Sequence, residues 1–225
     1  MKKGFTLAEI LITLAIIGVV AALTIPVAVQ NYQKQQQYSQ FMKVYNTLQT
    51  VMQLSIAENG DPSTWSLNYD IPEGTSEKSI FPYLNILSRC NVDDAQDCLS
   101  YDYRFLNPEE PYTYTADVFF FEDSQVAVTL QDGSIISMRY NNYTYFDTDG
   151  IGDIVFQVDT NGPKGPNVMG RDMFNITYSR PADVVKWKWS SFSCDDNESC
   201  DCDSHGHSYG FGCAARLMKE GKMNY

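Results

Sequence analysis

The chain begins with a long apolar stretch, and a pattern of helical period follows it. Residues 5–29 are almost entirely apolar, and Ile10 to Val29 carries no charge. As an α-helix this uncharged part would be about 30 Å long, which is the thickness of a bilayer's hydrocarbon core. The sequence therefore predicts a membrane-spanning segment over residues 5–29.

A second helical segment is predicted to continue the first one over residues 30–60. After a polar stretch, apolar residues recur at spacings of three and four, as on one face of an amphipathic helix: Tyr38, Phe41, Tyr45, Leu48, Met52 and Ile56. Asn59 and Gly60, followed by Pro62, are expected to end the helix. Half of one long helix would thus lie in lipid and half would pack on a domain.

The remainder of the chain is dominated by strand patterns. Residues 116–140 predict three strands, with a turn at 122–124 and a tight hairpin turn at Asp132-Gly133. Further strands are predicted at 154–158, 174–178 and 184–189, and short helices at 79–87 and 214–220. Residues 61–225 are therefore predicted to form an α+β domain with an antiparallel sheet.

Charge and cysteine usage narrow the functional classes. The chain has 28 Asp and Glu residues against 16 Lys and Arg residues, so a polyanion such as nucleic acid is not an expected partner. All six cysteines follow the apolar stretch, which favours export of the domain to an oxidising compartment. Lys2 and Lys3 precede the stretch and predict a cytoplasmic N-terminus.

One acidic residue, Glu9, interrupts the apolar stretch. A charge in hydrocarbon costs about 2.5 kcal/mol or more, so such a residue usually has a function. The surrounding residues, KKGFTLAE, resemble the leader of type IV pilins and type II secretion pseudopilins, and Gly18 and Pro26 also match positions common in their helices. A removable signal peptide is the alternative, but the apolar core of an ordinary signal peptide is shorter than this stretch and contains no acidic residue.

The resemblance covers about the first 30 residues and implies a pilin-like fold and a processing pathway. Residues 1–4 would be the leader, which a prepilin peptidase removes between Gly4 and Phe5 before methylating the new Phe5 amine. Glu9 of one subunit would then pair with the Phe5 amine of a neighbour, so that assembly neutralises two charges and sets the axial register. The alternative is a Glu9 that pairs within its own helix or reaches the headgroups. Pro26 lacks an N–H and is expected to kink or locally melt the helix.

A glycine-rich segment late in the chain is a candidate calcium site. Calcium prefers six to eight oxygen ligands on a tightly turning loop. The proposed ligands resemble, with different spacing, the calcium loop of major pseudopilins: Asp159, Asn161, Asn167 and Asp172. The alternative is that these residues only form Asx turns.

The cysteines are predicted to form disulfides. Cys90 and Cys98 bracket an acidic loop, and four more cysteines lie near the C-terminus: Cys194, Cys200, Cys202 and Cys213. Two disulfides are favoured over zinc because the spacing does not match common zinc motifs. Three pairings are open among these four, and Cys200 to Cys202 is the least favoured because of strain.

A structural subunit is the leading functional hypothesis. The family resemblance implies an inner-membrane protein with a periplasmic or extracellular domain, most consistent with a type II secretion pseudopilus. The implied partners are the prepilin peptidase, other pilin-like subunits, an assembly platform membrane protein with its ATPase, and membrane lipid. A type IV pilus subunit and a membrane-anchored binding module are the alternatives. No catalytic constellation is present in the sequence, so an enzyme is not expected.

Overall fold

A long N-terminal helix and an antiparallel β-sheet are the main elements of the fold. The computed structural model describes residues 4, 6–65, 76–91, 99, 103–108, 113–114, 126–141, 153–179, 188–190, 202 and 210–225. Their helices are α1 (Leu7–Asn59) and α2 (Cys213–Glu220), and their strands are β1 (Ile86–Asn91), β2 (Tyr103–Arg104), β3 (Thr113–Tyr114), β4 (Val126–Leu130), β5 (Ile135–Asn141), β6 (Asp153–Asp159), β7 (Met173–Ser179) and β8 (Lys188–Ser190). This arrangement confirms the predicted α+β fold with a long helix and an antiparallel sheet.

Local interactions account for both ends of α1. Thr6 forms a capping box with Glu9 at the N-terminus, which satisfies backbone N–H groups that have no partner in the helix. At the C-terminus Gly60 has a φ of 79°, and its N–H donates to the Ile56 carbonyl oxygen at 2.9 Å. The helix therefore ends at the residue where the predicted stop signal lies.

Pro26 lies inside the uninterrupted helix. Helical backbone continues on both sides of it, so the local melting that its missing N–H permits is not present in this structure. Bending at Pro26 stays a prediction.

The sheet is built largely by sequential hairpins. Its six strands have the order β1-β4-β5-β6-β7-β8, and every neighbouring pair is antiparallel. The predicted β4–β5 hairpin is confirmed, with Gly133 at a φ of 88° in its turn and the Ser134 N–H donating to Asp132 Oδ1 at 3.0 Å. The other predicted strand of 116–140, and most of the one at 184–189, lie outside the described residues.

The C-terminal half of α1 packs on one face of the sheet. Its buried side chains are spaced by three and four residues: Phe41, Val44, Leu48, Val51, Met52 and Ser55. The ring centroids of Phe41 and Phe174 on β7 lie 4.8 Å apart, and Tyr45 meets Trp189 on β8 at 5.6 Å. The predicted apolar stripe is therefore confirmed as the face of α1 that packs on the sheet. Three of its residues are only partly buried: Tyr38, Tyr45 and Ile56.

The opposite face of the sheet covers a second, smaller cluster. Because strand side chains alternate between faces, Ile154, Phe156 and Val158 of β6 face α1 while Asp159 faces away. The second cluster contains Cys90, Leu99, Tyr103, Ala127, Ile135, Met169 and Met173. The sheet is therefore buried on both sides near the β6–β7 connection.

The helix predicted at 79–87 is wrong in its second half. A π-helical turn spans Ser76–Ile80 and a 3₁₀ turn spans Phe81–Tyr83, but strand β1 begins at Ile86. Pairing of β1 with β4 outweighs the local helical preference there. The predicted C-terminal helix is present, and Gly221 ends it with a φ of 69°.

Candidate functional site

The N-terminal half of α1 is an apolar surface that nothing in the described chain covers. Its large apolar side chains from Leu7 to Val29 are 43% to 78% exposed. Among the described helices, α1 is long and apolar enough to cross a membrane. An apolar surface of this size marks contact with lipid or with other proteins.

Glu9 lies at the start of this surface and is held by the cap of its own helix. Its Oε2 accepts hydrogen bonds from the Thr6 N–H and the Thr6 hydroxyl, both at 2.8 Å. The Glu9 N–H in turn donates to the Thr6 hydroxyl oxygen at 3.3 Å. In this single chain, Glu9 therefore pairs with Thr6 at the cap of its own helix, and its pairing with a neighbouring subunit stays a prediction. Phe5 lies outside the described residues, so its amine is not part of this geometry.

Gly4 and Gly18 are both in open surroundings. A Cβ atom added to either glycine would have no other atom within 4 Å in the described chain. Their small size is therefore not required by packing within this chain.

The second candidate site is the loop that joins β6 to β7. Asp159 ends β6, Met173 begins β7, and the two residues are paired across the strands. Asp159 and Asp172 are both 0% exposed. The Asp159 carboxylate accepts from the Asn161 N–H at 3.1 Å and from the Tyr103 hydroxyl at 3.4 Å.

Backbone N–H groups hold the second carboxylate. Asp172 accepts from the N–H of Asn167 at 2.8 Å and from the N–H of Val168 at 2.7 Å. Asn167 has a φ of 53°, a conformation that asparagine tolerates better than most side chains. The turn 167–172 thus folds around the Asp172 carboxylate.

Burial makes two ionised carboxylates unfavourable in this loop. It raises the pKa of Asp159 well above the usual value, and the negative charge of Asp172 raises it further. Burial also raises the pKa of Asp172, although the N–H groups of Val168 and Asn167 counteract the rise. A bound cation would stabilise the ionised form of both groups.

Neutral oxygens in the same loop have no hydrogen-bond partner in the described part of the chain. They are the Thr160 hydroxyl oxygen and the side-chain amide oxygens of Asn161 and Asn167, all buried. Leaving a buried polar group unsatisfied costs about 1–3 kcal/mol. Hydroxyl, amide and carboxylate oxygens are the ligands that calcium accepts, so the residues present fit this ion.

Thr160 is a candidate ligand that the sequence interpretation missed. Threonine is common in strands and loops, and its type alone gives no signal of a ligand. Within the described residues there is no group of three or more His, Cys, Asp or Glu side chains that could hold a metal. A cation here would depend on two carboxylates and on neutral oxygens.

The cysteines in the described residues are all in disulfides. Cys202 is bonded to Cys213, which belongs to one of the three pairings left open by the sequence. Cys90 is also disulfide-bonded. Cys98, Cys194 and Cys200 lie outside the described residues, so the remaining pairing stays a prediction.

Comparison with known proteins identifies the N-terminal segment. Residues 1–25 match the family model described as the prokaryotic N-terminal methylation motif. No curated protein and no solved structure is significantly similar to the chain. The matched segment contains Gly4, Phe5, Glu9 and the first part of the exposed apolar surface.

Proposed function

We propose that the chain is a prepilin-type protein, a structural subunit of a pseudopilus or pilus, because residues 1–25 match the prokaryotic N-terminal methylation motif. A prepilin peptidase cleaves it between Gly4 and Phe5 and methylates Phe5. The processed subunits then assemble through α1. The observation that carries this proposal is the exposed apolar half of α1 with Glu9 at its start.

The proposed topology follows from the same helix. The leader lies in the cytoplasm, residues 5–29 span the inner membrane, and the domain lies in the periplasm or outside the cell. Lys2 and Lys3 before the span support this orientation. An assembly platform membrane protein and its ATPase would supply the motion, since the sequence contains no phosphate-binding loop.

In the assembled state, the Glu9 carboxylate would accept a hydrogen bond from the Phe5 amine of a neighbouring subunit, either in place of the bonds from Thr6 or in addition to them. Both hydrogen bonds from Thr6 end on Oε2, and Oε1 accepts none from the described part of the chain. Oε1 is therefore the atom that would receive the Phe5 amine of a neighbouring subunit. The local cap keeps the carboxylate satisfied until that neighbour arrives.

Processing is tested by mass spectrometry of the protein extracted from its native membrane. The expected mature chain begins at Phe5 and carries one additional methyl group. A Gly4→Val variant is expected to keep the leader, and Gly18→Ala serves as a matched glycine control that is still cleaved. A wild-type chain that keeps Met1, or one cut after residue 29, would refute the proposal.

We propose a type II secretion pseudopilus as the specific assembly. The oxygen-rich loop between two late strands supports this choice because it resembles the calcium loop of major pseudopilins. The Cys202–Cys213 disulfide near the C-terminus supports the alternative, a type IV pilus subunit. Deletion of the gene in the native host distinguishes the two assemblies. If the protein is a pseudopilin, secreted proteins are expected to accumulate in the periplasm; if it is a pilin, surface filaments are expected to be lost.

We further propose that the β6–β7 loop binds calcium. Asp159 and Asp172 would supply the negative charge, and Thr160, Asn161 and Asn167 would supply neutral oxygens. The ion would offset the repulsion between the carboxylates and give the neutral oxygens a partner. The proposed role of the ion is structural.

Calcium binding is tested by isothermal titration of the full-length protein in detergent. Saturable binding is expected for the wild type and its loss for Asp159→Asn and Asp172→Asn. Glu58→Gln, at an exposed position in the last turn of α1, is the matched charge control and is expected to bind normally. Equal binding by all four proteins would exclude this loop as the site.

A further inference from the structure

The C-terminal segment 210–225 packs directly on the oxygen-rich loop. The Tyr225 hydroxyl donates to the Gly170 carbonyl oxygen at 2.6 Å. A Cβ atom at Gly170 would lie 2.5 Å from Cys213 Sγ, and one at Gly210 would lie 2.7 Å from the Met169 carbonyl oxygen. The two segments are therefore in close backbone contact with no room for added atoms.

This contact lies beside the residues that hold Asp172. The Gly170 N–H donates to the Met173 carbonyl oxygen at 2.8 Å, and the Arg171 N–H donates to the Val168 carbonyl oxygen at 2.9 Å. Val168 also donates its N–H to the Asp172 carboxylate. A shift of Gly170 would consequently move the backbone that orients this carboxylate.

Covalent and aromatic contacts hold the C-terminal segment in place. The Cys202–Cys213 disulfide ties the first turn of α2 to a residue outside it. Arg216 donates to the Cys202 carbonyl oxygen at 3.1 Å, and its guanidinium lies 5.4 Å from the Tyr225 ring centroid. The disulfide, Arg216 and Tyr225 thus form one connected unit, which contacts Gly170 through Cys213 and Tyr225.

We propose that this unit positions the cation site, so that calcium binding and the Cys202–Cys213 disulfide are energetically coupled. Tyr225 and Cys213 are positioning residues that act through Gly170 on the turn 167–172. Coupling between two sites is reciprocal. Opening the disulfide therefore weakens calcium binding, and bound calcium protects the disulfide from reduction. This inference rests on the proposed calcium site.

The first test measures calcium affinity in the full-length protein in detergent. Tyr225→Phe removes only the hydroxyl and is expected to weaken binding about threefold to tenfold, the usual effect of one hydrogen bond. Tyr32→Phe is the matched control, because Tyr32 is 67% exposed on α1, and it is expected to leave affinity unchanged. The paired variant Cys202→Ala/Cys213→Ala is expected to bind more weakly still.

The second test measures the effect of calcium on the disulfide, and its main measurement uses the wild-type protein alone. The wild-type disulfide is reduced with dithiothreitol, and the newly free Cys213 is quantified by alkylation and peptide mass spectrometry. Calcium is expected to slow this reduction about fivefold or more. The protection is expected to disappear in Asp172→Asn, whereas a merely structural disulfide would be reduced at the same rate with and without calcium.

The possible outcomes separate this inference from the proposed calcium site. If the wild type binds calcium, Tyr225→Phe binds equally well and calcium leaves the reduction rate unchanged, the coupling is refuted and the site stands. If the wild type binds no calcium, the calcium site is refuted and the coupling with it. Weaker binding in Tyr225→Phe together with calcium protection of the disulfide supports both.

Discussion

Asp159 and Asp172 lie at the two ends of the β6–β7 loop, and both side chains are fully excluded from solvent. The Thr160 N–H also donates to the Asp172 carbonyl oxygen at 2.8 Å, so a backbone hydrogen bond joins the two ends of the loop. Two buried carboxylates so arranged are unfavourable when both are ionised. We therefore expect the stability of the loop to depend on pH and, if the proposed calcium site exists, on calcium.

Asp159→Asn is expected to stabilise the calcium-free protein at neutral pH. The folded protein has a raised pKa at Asp159, so it holds a proton more tightly than the unfolded chain does. The stability of the wild type therefore falls as pH rises from about 4 through the folded pKa, and Asp159→Asn abolishes this contribution. Thermal unfolding in EDTA at several pH values measures the difference between the two proteins.

The expected difference in unfolding free energy grows as the pH rises from about 4 through the folded pKa of Asp159 and is constant above that pKa. Each kcal/mol gained would raise the melting temperature by about 2–4 °C in a chain of this size. Glu58→Gln is the control and should follow the wild type. A constant difference across this pH range would show that ionisation of Asp159 does not destabilise the fold.

Removal of calcium is expected to lower the melting temperature of the wild type. Calcium at about 100 times its dissociation constant would stabilise the folded state by roughly 2.7 kcal/mol. This corresponds to about 5–10 °C. Asp172→Asn should show no calcium-dependent shift, and a comparable shift in both proteins would point to a different site.

Thr160→Val tests the ligand that the sequence interpretation missed. Without calcium, loss of a buried hydroxyl that has no hydrogen-bond partner in the described part of the chain is expected to be neutral or to stabilise the protein by about 1 kcal/mol. With calcium, loss of a ligand is expected to weaken binding about tenfold. Thr160→Ser keeps the hydroxyl and should bind normally, so titration of both variants separates a ligand from a packing residue.

Gly170→Ala is expected to destabilise the protein by about 2–4 kcal/mol. Gly170 has a φ of 82°, which costs a residue with a Cβ atom about 1–2 kcal/mol. The added methyl group would also collide with Cys213 Sγ. Gly165→Ala is the matched control because a Cβ atom there would have no described residue within 4 Å, and chemical denaturation should show little change for it. Equal stability of the two variants would contradict the close contact at Gly170.

Glu9→Ala is expected to leave cleavage intact and to abolish filament assembly. The leader is unchanged, so mass spectrometry should still find a mature chain that begins at Phe5. The Phe5 amine would lack its partner, and assembly would leave a charge unpaired in an apolar environment. Filament yield after shearing or cross-linking measures the effect. Normal filaments from Glu9→Ala would favour a membrane-anchored binding module.

Several elements predicted correctly from the sequence are controlled by neighbouring residues. The end of α1 at Asn59, the hairpin turn at Asp132-Gly133 and the end of α2 at Gly221 depend on contacts within a few positions. The helix predicted at 79–87 failed where β1 pairs with β4, a partner about 40 residues away. Local preference is a weak guide where such pairing is available.

The sequence by itself determined the N-terminal methylation motif and a helix long enough to span a membrane, because residue type and spacing carry these signals. The oxygen ligands for calcium stay a prediction. Only the tertiary structure decided that Asp159 and Asp172 are both buried and that the Thr160 hydroxyl oxygen has no hydrogen-bond partner among the described residues. It also decided that Cys202 bonds to Cys213 and that the C-terminal segment packs on Gly170. These features depend on contacts between segments far apart in the chain, such as Tyr103 with Asp159, and spacing along one segment carries no information about them.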